Sequence, residues 1–125
     1  MKDAHVDNQL QQLTTSLIEY VGQLEQTFQK ETNVSYGSRE MFEHVRRETE
    51  PIFETLETWE TLTLDSIKRG DLSSSTQMIE STVDNMRQFI MHSYYKDVRK
   101  RRYMEMKRSL LYVFHLLLKE IGDDA

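Results

Sequence analysis

Apolar residues along this chain recur in alternating steps of three and four, the spacing that keeps one stripe on one face of an α-helix. The first row is Leu10, Leu13, Leu17, Val21, Leu24 and Phe28, close to heptad spacing, and it predicts a helix over about 6–30. Asp3 or Asp7 is placed to cap its start, and Gln and Thr fill its other face. Residues 32–38 read Thr-Asn-Val-Ser-Tyr-Gly-Ser, rich in turn formers, and predict a loop ending near Gly37.

A second row runs Phe42, Val45, Thr49, Ile52, Leu56, Trp59, Thr63 and Ile67, with Ser38 as N-cap and Glu40 in the first turn. Pro51 falls inside this row, where a helix interior is normally kinked or broken. The phase passes through Pro51 without a slip, so the pattern predicts one kinked helix over 38–69. Gly70 ends it, and the serines of Asp71-Leu-Ser-Ser-Ser75 offer an N-cap for the next helix.

The third row is Ile79, Val83, Met86, Ile90 and Tyr94, with Met78 and Phe89 beside it, over 75–95. The fourth is Tyr103, Met106, Leu110, Val113 or Phe114, Leu117 and Ile121, over 99–121. Residues 96–102 lack Gly and Pro, but the third and fourth rows do not share a phase, which predicts a tight reversal there. Ser109 to Leu118 is apolar on more than one face, so the last helix is expected to be enclosed by three amphipathic partners. The expected fold is all-α: an antiparallel up-down-up-down four-helix bundle in one domain, 1–125. A two-hairpin dimer with the third and fourth helices fused is the structural alternative. No strand-like alternation and no internal repeat occurs.

Composition narrows this reading. A chain of 125 residues buries roughly 65–70% of its unfolded surface without staples. With four Gly and one Pro, its turns are few and its regular elements long. The absence of Cys excludes disulfides, thiol catalysis and cysteine-ligated metal sites. The first residues have no signal-peptide pattern, and the longest apolar run falls short of the roughly 20 residues that span a bilayer. A soluble, cytoplasmic protein without membrane association is expected.

Several short clusters occur together: Phe42-Glu43-x-Val45-Arg46, Trp59, Asp84-Asn85, Ser93-Tyr94, Lys100-Arg101-Arg102-Tyr103 and Ser109-x-x-Tyr112-x-x-His115. In order and spacing the chain resembles the YppE-like family of Gram-positive bacteria, small four-helix proteins without an assigned activity. The family often carries Pro where this chain has Arg47, whereas here Pro51 comes four residues later. The resemblance implies an up-and-down bundle and a cytoplasmic location, and no reaction.

Candidate chemistry centres on residues 96–108. Lys96, Arg99, Lys100, Arg101, Arg102, Lys107 and Arg108 stand there against Asp97 and Glu105, a local charge of +5 in a chain of net charge −5. Arg99, Lys100, Arg101, Arg102, Lys107 and Arg108 are the candidate anion-binding residues. In an up-down bundle they share an end with Arg39, Arg46 and Arg47, and Tyr94, Tyr95 and Tyr103 stand near enough to stack on bases. Internal neutralisation is the competing reading, with Glu43, Glu48 and Glu50 on the second helix and Glu25 and Glu31 on the first.

Arg-x4–6-His spacings, as in HEPN-like ribonucleases, occur at Arg39/His44, Arg87/His92 and Arg108/His115. His115 lies among Leu and Phe, so a core or boundary histidine is the simpler reading. No His has Glu three residues before it, as di-iron bundles require, and the Glu40/His44 pair reads as an exposed i,i+4 contact. The methionine-rich row of Met41, Met78, Met86, Phe89, Met91, Met104 and Met106, with Trp59, reads as core before groove. No Gly-rich phosphate loop or nucleophile elbow occurs.

These observations predict no catalytic residue, no metal and no cofactor. The expected function is a non-catalytic bundle, monomer or weak homodimer, that acts on an unknown protein partner through protein–protein interaction. The alternative is nucleic-acid or phosphate contact through 96–108, with HEPN-like cleavage as its enzymatic extreme.

Overall fold

The computed structural model describes residues 4–30 and 37–122, with side chains from residue 8 onward. It contains four helices: α1 (Ala4–Gln29), α2 (Arg39–Lys68), α3 (Thr76–Tyr95) and α4 (Lys100–Gly122). The expected cap at Asp3 or Asp7, loop residues 32–36, Glu31 and the tail 123–125 lie outside the described side chains.

Each boundary has a local cause. Ser38 caps α2 by accepting the Met41 N–H at 3.0 Å, and Ser75 caps α3 by accepting the Met78 N–H at 3.0 Å. Gly37 and Gly70 take positive φ values of 80° and 82° beside α2, a region that costs glycine nothing. α2 is continuous through Pro51. α3 and α4 are separate helices, and the reversal between them turns on Lys96, whose φ of 55° and ψ of 35° are left-handed. The Lys96 N–H donates to the His92 carbonyl at 2.8 Å and closes α3.

Side chains from all four helices form one apolar cluster. Named pairs fix how the helices lie. Trp59 of α2 bonds Thr14 of α1 at 3.0 Å. Lys107 of α4 meets Glu25 of α1 at 2.6 Å. His44 of α2 stands edge-on to Tyr94 of α3, ring centroids 6.1 Å apart. The late part of α1 therefore meets the early part of α4, and the early part of α2 meets the end of α3. At the opposite end, Ser73 and Ser74 of the α2–α3 link bond the Glu120 carboxylate of α4.

Two expectations about the core need correction. α4 lies along α1 and α3 and reaches α2 through Phe114 on Trp59, but its outer face is left uncovered. Leu110, Val113, Phe114 and Leu117 are buried, whereas Tyr112 is 67% exposed and Leu116 38%. Two neighbouring helices shelter about half of a helix's circumference, and the remaining apolar residues face outward. Phe42 is likewise no core residue: it is 60% exposed, and its neighbour Met41, 3% exposed, takes the inward position.

Candidate functional site

The basic segment sits at the start of α4. Arg99, Lys100, Arg101, Arg102 and Arg108 are exposed, and Lys107 is half-buried. Lys107 is neutralised by Glu25 across the α1–α4 interface at 2.6 Å. Arg101 reaches Glu105 on its own helix at 3.5 Å. Among the described residues no carboxylate pairs with Arg99, Lys100, Arg102 or Arg108. Of the arginines expected at the same end, Arg39 pairs with Glu43 at 3.2 Å, and Arg46 and Arg47 are exposed on α2. Neutralisation within the bundle thus accounts for part of the segment, through Glu25 and Glu105. Glu43 is taken by Arg39.

The tyrosines expected to stack on bases are mostly spent inside. Tyr103 is fully buried, its ring stacked on Phe28 at 3.8 Å and on Phe89 at 4.4 Å. Its hydroxyl lies 2.6 Å from Ser93 Oγ, and burial pushes its pKa well above the ordinary value. Tyr94 is 8% exposed, with a pKa pushed up to about 12 by burial and, secondarily, by the Glu48 charge. Only Tyr95 remains half-exposed.

His115 is exposed on the outer face of α4 with Arg108, so it is not the core histidine its neighbours in sequence suggest. His92 Nδ1 contacts Asp97 Oδ1 at 2.6 Å across the α3–α4 reversal, and this hydrogen bond holds the Asp97 carboxyl below the usual range. Among the described residues no group of three His, Asp or Glu is placed to hold a metal.

A groove between α2 and α3, about 460 Å³ in volume, takes Met91 of the methionine-rich row out of the core, while Trp59 and the rest of that row do not line it. Its apolar lining is Phe42, Val45, Phe53, Met91 and Tyr95, and Arg46, Glu50, Glu54 and Glu57 stand along the α2 side. The signal for it lies in adjacent apolar pairs. Met41-Phe42, Ile52-Phe53, Ile90-Met91 and Tyr94-Tyr95 each place the first member inside and the second in the groove. Successive helical residues are turned by about 100°, so such a pair serves two faces at once. A smaller recess of about 270 Å³ opens between α1 and α2 beside Tyr20, Gln23, Glu48 and Tyr94.

Comparison with known proteins agrees with the fold. Residues 14–121 match a family described as a bacterial domain of unknown function (DUF1798). The solution NMR structure of protein yppE from Bacillus subtilis is similar at a TM-score of 0.75 and 21% identity, over 99% of this chain and 98% of that one. The X-ray crystal structure of the same protein gives 0.77 and 27% identity, over 92% and 94%. No curated protein matches the chain. No helix among the described residues is long and apolar enough to cross a membrane.

Proposed function

Since the chain belongs to DUF1798, a bacterial family of unknown function, we propose that it acts as a non-catalytic cytoplasmic bundle that docks a helix of a partner protein. The observation that carries this reading is the α2–α3 groove, where Phe42 is 60% and Met91 39% exposed. Large side chains left in water at one place are disfavoured unless something covers them. A groove between two parallel-sided helices accepts an amphipathic helix as its third layer. The test is a pull-down from the native cells with wild-type protein beside Phe42→Asp and Met91→Asp. Both sites are exposed, so the variants keep their melting temperature, and the expected result is selective loss of a wild-type partner. Equal recovery by all three proteins removes the reading.

Contact with nucleic acid or phosphate is the second reading, favoured by the exposed Arg99, Lys100, Arg102 and Arg108. Labelled RNA at low and moderate salt tests it, with reversal of Arg101 and Arg102 as the control. Binding through these residues weakens steeply with salt, and no binding even at low salt removes it.

A further inference from the structure

We infer that the occupant of the α2–α3 groove is a basic amphipathic helix, with an apolar stripe flanked by Lys or Arg. This rests on the reading of the groove as a docking surface and specifies what docks. The lining supplies the argument. Phe42, Phe53, Met91 and Tyr95 give an apolar floor, and its α2 side runs from residue 42 to residue 53. That is about 16 Å of helix, so a partner of about three turns covers it. Arg46, Glu50, Glu54 and Glu57 follow at steps of four, four and three, so one arginine and three carboxylates stand along one edge of the floor and leave it net acidic. All three carboxylates are exposed, and no cation among the described residues pairs with them.

A partner whose flanks carried Glu or Asp would set like charges along that edge. One with Lys or Arg beside the glutamates gains an ion pair at each, part-sheltered by the floor. A second copy of this chain is the competing occupant, because Arg101, Arg108, Tyr112, Leu116 and Lys119 form an exposed mixed stripe on α4. That contact would join two different faces of the molecule and need not close, which favours a helix from another protein.

The probes are two synthetic peptides of about fourteen residues with the same Leu/Phe stripe, one flanked by Lys and one by Glu, read by fluorescence anisotropy. The Lys peptide is expected to bind, and to weaken as salt rises from 50 to 300 mM. Combined Glu50→Lys, Glu54→Lys and Glu57→Lys should weaken it at least tenfold. Phe42→Asp should also abolish binding although it adds negative charge, which separates docking from general attraction. Equal binding of the two peptides, or Lys-peptide binding that survives Phe42→Asp, overturns the inference. If neither peptide binds while the Phe42→Asp pull-down still loses a partner, the basic-helix inference fails and the docking reading stands. Self-association that Phe42→Asp abolishes would make the occupant a second copy and overturn the inference too.

Discussion

The indole Nε1–H of Trp59 donates to Thr14 Oγ1 at 3.0 Å, and both residues are fully buried between α1 and α2. Thr14 donates its own hydroxyl to the Leu10 carbonyl at 2.7 Å, so the side-chain polar atoms of this pair are both partnered. Phe114 closes the indole from α4, edge-on at 5.3 Å. One hydrogen bond thus fixes the rotation of the largest core side chain.

Thr14→Val keeps the shape and strands the indole N–H in an apolar site. The expected loss is about 1–3 kcal/mol, the cost of an unmade buried hydrogen bond. Trp59→Ala removes far more contact area and should cost about 3–5 kcal/mol. Urea denaturation measures both. A loss below about 0.5 kcal/mol for Thr14→Val would mean that water reaches the indole.

Tyr103 offers a second test because its ring and its hydroxyl act separately. Ser93 Oγ donates to the Phe89 carbonyl at 2.6 Å, so the Tyr103 hydroxyl is the donor in the Ser93 pair. Tyr103→Phe leaves Ser93 bonded and keeps the stack on Phe28 and Phe89, and should cost about 0.5–1.5 kcal/mol. Tyr103→Ala opens a cavity and should cost about 3–5 kcal/mol. Similar losses from the two variants would refute the stacked geometry.

Much of this fold was legible because helical periodicity survives in an amphipathic chain. The rows through Leu17, Leu56, Met86 and Leu110 point inward apart from Phe42, and Ser38 and Ser75 cap where their side chains predict. Lys96 was not legible as a turn residue, since nothing in a lysine announces a left-handed backbone. Lys96 Nζ also bonds the Lys30 carbonyl, a contact from a distant part of the chain that holds the turn down. The place of the groove was missed for a different reason. A row that admits Phe42 in phase hides the choice between Met41 and Phe42, and only the position of α3 decides it. His115 was misplaced because which face of α4 stays uncovered is a property of the assembled bundle.

Alkaline pH should expose the buried tyrosines. Tyr94 and Tyr103 have folded pKa values raised above the unfolded value of about 10, Tyr94 to about 12. A raised value favours the neutral form in the fold, so its contribution is complete below about pH 10 and is lost as pH climbs through the folded values. The urea midpoint should hold to about pH 9.5 and then fall, and the fall should be shallower in Tyr103→Phe. Equal slopes in wild type and variant would show that Tyr103 ionises as freely in the fold as outside it.

At the acid end the sign reverses. Asp97 has a folded pKa below the ordinary value of 3.8, chiefly through its hydrogen bond with His92. Its contribution is present above that value and disappears as pH falls through the lower folded value. The Asp97 side chain is 63% exposed, so solvent screens the pair and the total should stay under about 1 kcal/mol. Asp97→Asn should remove this acid-range slope and quicken amide exchange at the α3–α4 reversal, while leaving neutral-pH melting almost unchanged. An unaltered exchange rate there would mean that Lys96 holds the turn without help from the His92–Asp97 pair.

Pro51 should prove costly to α2. It has no N–H, so the Arg47 carbonyl loses the partner that any other residue at 51 would supply. The ring is exposed, and Thr55 donates its hydroxyl to the Pro51 carbonyl at 2.8 Å, a bond that Ala at this position keeps. Pro51→Ala therefore restores a backbone hydrogen bond and introduces the best helix former, against a gain of unfolded-state freedom worth about 0.4–1 kcal/mol. A net stabilisation of about 1 kcal/mol or more is expected, read as a melting temperature several degrees higher. A lower melting temperature would mean that the helix has adapted to the ring, through packing that Ala cannot replace.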